Sequence, residues 1–250
     1  MNELMVRGDS LPEVYHQALK TLFTYGDVNY CNDWNCLQIE TSMTIVVEEP
    51  FTEPMISKLF IGGQRELQEY VMEMVNGIKD FEIEKGKWTY TYHDRFAYQL
   101  QFVIDELKRN PTSRRAVMAI RNDSDIGSDD PACWQHVQYF IRDNKLHCKT
   151  LFRSNDACKA TFMNMFALIM LQKRIADELG IAVGTYTHRA NSFHCYEKDF
   201  SLLRGYVKRI QVAKDIEDIA FYYDDEDGWK PEMESFIPQI LADVEELKNR

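Results

Sequence analysis

The stretch Pro131-Ala-Cys-Trp-Gln-His-Val-Gln-Tyr-Phe-Ile-Arg-Asp-Asn-Lys-Leu-His-Cys-Lys-Thr-Leu-Phe-Arg-Ser-Asn-Asp156 carries the strongest strand signal in the chain. Val137–Ile141 and Lys145–Phe152 alternate apolar and polar residues on either side of Asp143-Asn144. A two-residue Asp-Asn connection tolerates positive φ, so the pattern predicts an antiparallel hairpin with a tight turn. Downstream, an apolar helix is expected from about Phe162 to Leu179, closed by Gly180. A strand around Ala182–His188, an irregular piece to Tyr196 and a helix from about Glu197 to Arg209 follow. Upstream, Ser10-Leu-Pro-Glu13 has the form of a capping box opening a helix to about Phe23. Thr44–Val47 reads as a short strand. Gly62-Gly63 precedes a helix over Gln64–Asn76, with Leu67, Tyr70, Val71 and Met74 on one face. Trp88–Tyr92 reads as extended, and Phe96–Arg109 as a helix ended by Asn110-Pro111. The last forty residues hold the acidic run Asp224–Asp227 and a polar amphipathic helix to Arg250. Helices and mostly antiparallel strands mix without a strand–helix–strand rhythm, which predicts one α+β domain over residues 1–250.

Composition narrows the function classes. The chain has 250 residues, with 29 Lys and Arg against 40 Asp and Glu, a net charge of −11. Such a balance repels duplex nucleic acid on average, yet a few converging arginines still make a local anion pocket. Its most apolar stretch, Ala160–Leu171, is interrupted by Asn164 and is shorter than the roughly 20 residues of a membrane span. The start, MNELMVRGDSLPEVY, lacks the basic and apolar regions of a secretory signal. The six cysteines are scattered, with no CxxC and no zinc spacing, so reduced thiols and a cytoplasmic location are expected and no metal. No nucleic-acid or membrane partner is expected. Internal repeats, a Gly-rich phosphate loop, HExxH and GxSxG are all missing from the sequence.

Four features could carry chemistry. Cys133 follows a turn at the entry to a strand, where cations would make it a nucleophilic thiolate; a buried structural cysteine is the competing reading. Ser113-Arg114-Arg115, after Asn110-Pro111, offers paired guanidinium forks for a phosphate or carboxylate, or a solvated surface pair. Arg153-Ser154-Asn155-Asp156 at the end of the hairpin is an oxyanion and hydroxyl binder, or a polar loop. Asn164 interrupts an apolar helical face, and its amide matches the N3–H and O4 edge of uracil. His194 and Tyr196 stand two apart, on one face if the segment is a strand.

Taken in order, Glu66, Ser113-Arg114-Arg115, Pro131-Ala-Cys133, Arg153-Ser-Asn-Asp156, Asn164 and His194-Cys-Tyr196 resemble the thymidylate synthase family, including its pyrimidine-nucleotide hydroxymethylase branch. The likeness spans about Ser10 to Asp199, with residues 211–250 as a C-terminal extension. It implies a mixed, mostly antiparallel sheet packed with helices, and a homodimer joined sheet to sheet. Cys133 would add to C6 of the pyrimidine, and C5 would accept a one-carbon unit from 5,10-methylenetetrahydrofolate. Arg153 and Ser154 would bind the 5′-phosphate, with Arg114 and Arg115 reaching it from the other subunit. Those arginines would also hold Cys133 as thiolate. His194 and Tyr196 would hold the ribose hydroxyl, and Asp156 would orient the nucleotide and contact the folate. Glu66 would be a partly buried proton-transfer carboxyl of raised pKa, and Tyr92 would lie near the C5 proton. Asn164 argues for uracil, because cytosine-specific relatives carry Asp there.

The chain departs from the family pattern in places. It has no Arg-Thr-Gly phosphate loop, for which Arg7-Gly8 could substitute. Phe152, Ala160 and Asn191-Ser192 replace the usual Gln, Gly and Gly-Asp, and the tail ends in Leu-Lys-Asn-Arg. Thymidylate synthase, a 5-hydroxymethylase and a catalytically silent nucleotide-binding regulator are the three readings, in that order.

Overall fold

A computed structural model describes residues 1–224 and 226–250; Asp225, within the acidic run, lies outside the described residues. The chain begins with β1 (Glu3–Gly8), α1 (Leu11–Tyr25), β2 (Asp27–Cys31), β3 (Cys36–Val47), β4 (Ile56–Ser57), α2 (Gln64–Asn76), α3 (Phe81–Glu84) and α4 (Tyr92–Arg109). It continues with β5 (Val117–Ala119), β6 (Trp134–Arg142), β7 (Lys145–Phe152), β8 (Asn155–Asp156), α5 (Thr161–Leu179) and β9 (Ala182–Tyr196). Last come α6 (Phe200–Val212), β10 (Ala220–Phe221), α7 (Trp229–Ser235) and α8 (Ile237–Asn249). The main sheet runs β1-β3-β9-β7-β6-β5, with β2 beside β3 and β8 beside β9. It is mixed, since β1–β3, β7–β9 and β8–β9 are parallel and the other pairs antiparallel.

The expected hairpin is present. Arg142 pairs with Lys145, and the turn residues Asp143 and Asn144 have φ of 51° and 56°, the left-handed values a two-residue connection requires. Along this hairpin the register slips by one at Gln135, so that Trp134 faces Phe152. The slip matters for the site. In unbroken register Trp134 would have turned away from the core, because one residue of slip exchanges the faces of a strand. Instead Trp134 is buried and stacks on Phe152 (ring centroids 6.2 Å), which stacks on His188 of β9 (4.7 Å). The Trp134 indole N–H donates to Thr150 Oγ1 at 2.6 Å.

Helix α2 spans the predicted residues, and α5 ends at Gly180 with φ 67°, a left-handed cap that glycine adopts without steric cost. Other expectations need correction. The segment 189–196 is not irregular: β9 is one strand of 15 residues, because β3 on one side and β7 and β8 on the other pair with it to its end. Likewise the strand expected at Thr44–Val47 is the last third of β3. The segment Trp88–Thr91 is a loop rather than a strand, and Tyr92 opens α4, where Thr91 Oγ1 accepts the Asp94 N–H. The capping box expected at α1 does not form: Glu13 accepts the N–H of Asp9, one residue before the Ser10 cap, and the Ser10 hydroxyl makes no capping bond.

One face of the sheet packs against α1 and α5. On the other face Gln138, Phe140, Leu151, Thr185 and Thr187 are half-buried and Lys149 is exposed. The C-terminal residues pack behind α2: Arg65 pairs with Asp243 (2.6 Å), and Lys85 Nζ donates to the Leu247 carbonyl (2.7 Å). Among the described residues, no helix is long and apolar enough to cross a membrane, and no cluster of His, Cys, Asp or Glu is arranged for a metal.

Candidate active site

The hairpin positions the first two candidate residues. Because Trp134 pairs with Phe152, the flanking Cys133 and Arg153 emerge side by side, and the Arg153 N–H donates to the Cys133 carbonyl (2.8 Å). The Arg153 guanidinium is tied back to the same turn, with Nη2 on the Pro131 carbonyl (2.8 Å) and Nε on that of Ala132 (3.2 Å). Parallel pairing of β8 with β9 then sets Asp156 opposite His194, and β3 sets Glu40 opposite His194 and Gln38 opposite Tyr196. One Asp156 oxygen accepts the N–H groups of Cys158 and Lys159, both at 2.9 Å, which fixes the carboxylate.

A cleft of about 770 Å³ gathers Cys133, Arg153, Ser154, Asp156, Asn164, His194, Tyr196 and Tyr92. That volume lies within the range of roughly 300–1,000 Å³ of small-molecule sites. Three candidate residues do not line it. Arg114 and Arg115 are exposed; Arg115 pairs with Glu106 (3.0 Å), and Gln138 of the open sheet face donates to the Arg114 carbonyl (2.8 Å). The Ser113 hydroxyl and the guanidinium groups of Arg109 and Arg115 draw the Glu106 carboxyl down to about 2. The third, Glu66, is exposed rather than partly buried, and its Oε2 accepts the Gly63 N–H (2.9 Å) at the start of its own helix. Arg7, on β1, is likewise exposed; it is paired with Glu48 and does not line the cleft.

The electrostatics correct a second expectation. Burial pushes the Cys133 thiol above its ordinary value, Asp130 adds to this, and Arg153 only partly opposes them. Within one protomer, then, the arginines do not hold Cys133 as thiolate: among the described lining residues Arg153 is the one Lys or Arg, facing Asp33, Glu40, Asp129, Asp130 and Asp156. Burial lowers the His194 pKa and so favours the neutral ring. Its Nδ1 lies 3.4 Å from the Ser192 carbonyl, 3.3 Å from Ser192 Oγ and 3.5 Å from Ser154 Oγ; the tautomer protonated at Nδ1 donates to the carbonyl and leaves Nε2 as an acceptor.

Sequence reasoning missed part of the lining. Tyr70 of α2 enters the cleft and its hydroxyl donates to Asn164 Oδ1. Trp34, in the turn between β2 and β3, meets the Tyr196 ring edge-on at 5.9 Å. Asn155 continues a buried chain in which Tyr186 Oη contacts His188 Nδ1 (3.0 Å) and His188 Nε2 contacts Asn155 Oδ1 (2.9 Å). Tyr70 stands one helical turn after Glu66, a spacing that could have signalled a shared face; Trp34 had no such signal.

The thymidylate synthase family model matches residues 66–221. A Methanosarcina barkeri protein named "Putative thymidylate synthase" is 28% identical over 209 residues, covering 82% of this chain and 95% of its own. A Methanocaldococcus jannaschii protein of the same name is 33% identical over 168 residues, covering 62% and 76%. Thymidylate synthase from Bacillus licheniformis is 30% identical over 127 residues, 50% of this chain and 46% of that one. Thermostable thymidylate synthase A from Bacillus subtilis has the same fold, with a TM-score of 0.63 at 17% identity over 84% of this chain and 92% of that one. With the family model covering more than half of its length, this chain belongs to the thymidylate synthase family.

Proposed function

We propose that the chain transfers a one-carbon unit to C5 of a pyrimidine nucleotide, as a thymidylate synthase acting on dUMP. The observation that carries this reading is the convergence of Cys133, Arg153, Asp156, Asn164, His194 and Tyr196 on one cleft. Cys133 attacks C6 as thiolate, making C5 nucleophilic. Its thiol is pushed up by burial, so binding of the second subunit's cations is part of its activation. Arg153 and Ser154 take the 5′-phosphate. Neutral His194 accepts from the ribose hydroxyl through Nε2, beside Tyr196. Asn164 reads the uracil edge, and Tyr92, edge-on to Trp134 at 5.6 Å, stands near the C5 proton. Glu66 acts only by swinging from its Gly63 contact toward the cleft. Asp156 and the aromatic walls Tyr92, Trp34 and Tyr196 suit a flat reduced folate, which supplies the one-carbon unit and, in the methylase, the hydride.

We further place Arg114 and Arg115 across a homodimer made by the open sheet faces. They sit at the rim of that face, and a dianionic phosphate needs more cations than Arg153 alone. One observation favours a second reading, a 5-hydroxymethylase: the described C-terminal residues pack behind α2 and do not line the cleft, which leaves water a route to C5. Mass spectrometry of the product from dUMP and methylenetetrahydrofolate, with dihydrofolate absorbance in parallel, decides between them. Methylated nucleotide with matching dihydrofolate is the expected result. A hydroxymethyl product without dihydrofolate assigns the second reading. Cys133→Ser is expected to lower turnover on the order of 10⁴-fold or more while nucleotide affinity changes little. Full turnover by that variant sinks the adduct mechanism.

A further inference from the structure

An amide side chain can present its oxygen and nitrogen in either order, and so by itself reads uracil or cytosine equally well. In this chain the two orders are not equivalent. Tyr70 projects from α2 into the cleft and its hydroxyl donates to Asn164 Oδ1. Asn164 is itself buried on α5, anchored through its N–H to the Ala160 carbonyl at 3.0 Å. Among the described residues no other acceptor lies within hydrogen-bond distance of the Tyr70 hydroxyl. Turning the amide over would set its NH₂ group against the phenol. The phenol would then have to accept, and its own proton would face the cleft without a protein acceptor. Burial also pushes the phenol far above its ordinary value, so it stays protonated and remains a donor at any physiological pH.

We propose that Tyr70 is a specificity-determining positioning residue: by donating to Asn164 Oδ1 it fixes which end of the amide meets position 4 of the pyrimidine and which meets N3. The proposal rests on the nucleotide-binding reading of the cleft given above. Tyr70 is one helical turn beyond Glu66 on α2, so the helix that carries the proton-transfer candidate also sets the order of donor and acceptor at the base. Helix α2 packs directly on α5, which brings the phenol within reach of Asn164. Its chemistry is selection between an exocyclic oxygen and an exocyclic amino group, with no role in bond making.

The test is equilibrium binding of dUMP and dCMP to the full-length protein, with and without Tyr70→Phe, which removes only the hydroxyl. The wild-type protein is expected to prefer one nucleotide by tenfold or more, and Tyr70→Phe to reduce that ratio at least fivefold. A merely structural role for Tyr70 would weaken both nucleotides together and leave their ratio unchanged. In an Asn164→Asp background both oxygens accept, so adding Tyr70→Phe is expected to move the ratio less than twofold. A ratio unchanged by Tyr70→Phe, or a wild-type protein without preference, overturns the proposal and leaves the reaction assignment standing. If neither nucleotide binds the wild-type protein, the assignment fails with it. A thermal melt of Tyr70→Phe close to wild type shows that the comparison is made between folded proteins.

Discussion

Around Asn164 the cleft is finished within one protomer: the amide oxygen has its donor in Tyr70, and the walls are the rings of Tyr70 and Tyr92. Around Arg153 it is not. There a single guanidinium, half committed to the carbonyls of Pro131 and Ala132, shares the cleft with five carboxylates. A dianion entering such a field would be repelled rather than held. On the proposed reading, the contrast teaches that one chain can build a site for a base through a neutral hydrogen bond whose partners lie on neighbouring helices, whereas a site for a phosphate must collect several like charges, and that is costly inside one small acidic protein. In the proposed dimer, Arg114 and Arg115 on the rim of the open sheet face would meet that need only when a second copy arrives. Within one protomer both are exposed, and Arg115 is paired with Glu106.

The largest effect expected on this contrast follows from the one residue proposed to serve both ends. Arg153→Ala removes the protomer's own cation from the proposed phosphate site and also the two side-chain bonds to the Cys133 turn. Loss of charge-assisted hydrogen bonds of about 1.5–3 kcal/mol each gives a fall in kcat/KM of roughly 10²–10³-fold or more, shared between kcat and KM. Steady-state kinetics check the split. An effect on KM alone would mean that Arg153 does not position Cys133, and the two ends would be less coupled than the hairpin suggests.

How much of this was legible beforehand depends on whether the cause is local. The hairpin declared itself through Asp143-Asn144, and α5 through Gly180, because left-handed backbone positions restrict the residues that can occupy them. The register slip at Gln135 left no mark, although it is what turns Trp134 inward beside Phe152. The outer half of β9 was invisible for the same reason: Asn191-Ser192 reads as a loop, and only pairing with β3 and β8 makes it strand. Tyr70 is visible in the sequence as a residue on the apolar face of α2, and nothing in its spacing separates a packed ring from one that ends at an amide. Glu66 could have been read differently from its context, because Glu three positions after a helix-opening Gly63 is placed to accept that residue's N–H. The resemblance carried the site residues; the departures Phe152 and Ser192 became intelligible only as the stacking partner of His188 and a neighbour of His194 Nδ1 (3.3 Å).

A smaller effect is expected from the rim arginines. Arg114→Ala and Arg115→Ala should each raise KM for the nucleotide about 10–100-fold with little change in stability, the loss of a charge-assisted phosphate contact. Arg115 gives the lesser effect because Glu106 already competes for it. The decisive measurement is complementation. Mixing and reassociating inactive Cys133→Ser with the Arg114→Ala, Arg115→Ala double variant should restore activity at nucleotide concentrations too low for the double variant alone, since one hybrid site then receives an intact Cys133 from one subunit and intact arginines from the other. A mixture no more active at those concentrations than its two parts would break the comparison at its root, by showing that the anion end is completed within a single chain.

The smallest expected effect concerns the floor of the anion end. His188 lies under Phe152 and is bonded to Asn155 and Tyr186, and burial lowers its pKa to about 3; burial does the same to His16, on the buried face of α1, with Arg209 adding to the shift. Both rings are neutral in the folded protein and titrate near 6.5 when unfolded. Above that pH neither state gains a proton, and the two histidines leave stability unchanged. As pH falls from about 6.5 toward 3, the unfolded chain takes up protons that the native chain refuses. Stability then drops by up to about 1.4 kcal/mol per pH unit for each histidine. Denaturant midpoints between pH 7 and 4 should fall accordingly, and His188→Gln, which keeps a polar side chain between Tyr186 and Asn155, should remove about half of the slope contributed by this pair. An unaltered slope in that variant would mean that His188 titrates in the folded protein as it does unfolded. A slope made steeper by the variant would mean that the fold binds the proton more tightly; the floor would then supply a cation that the lining of the cleft lacks, and the anion end would need correspondingly less from a second copy.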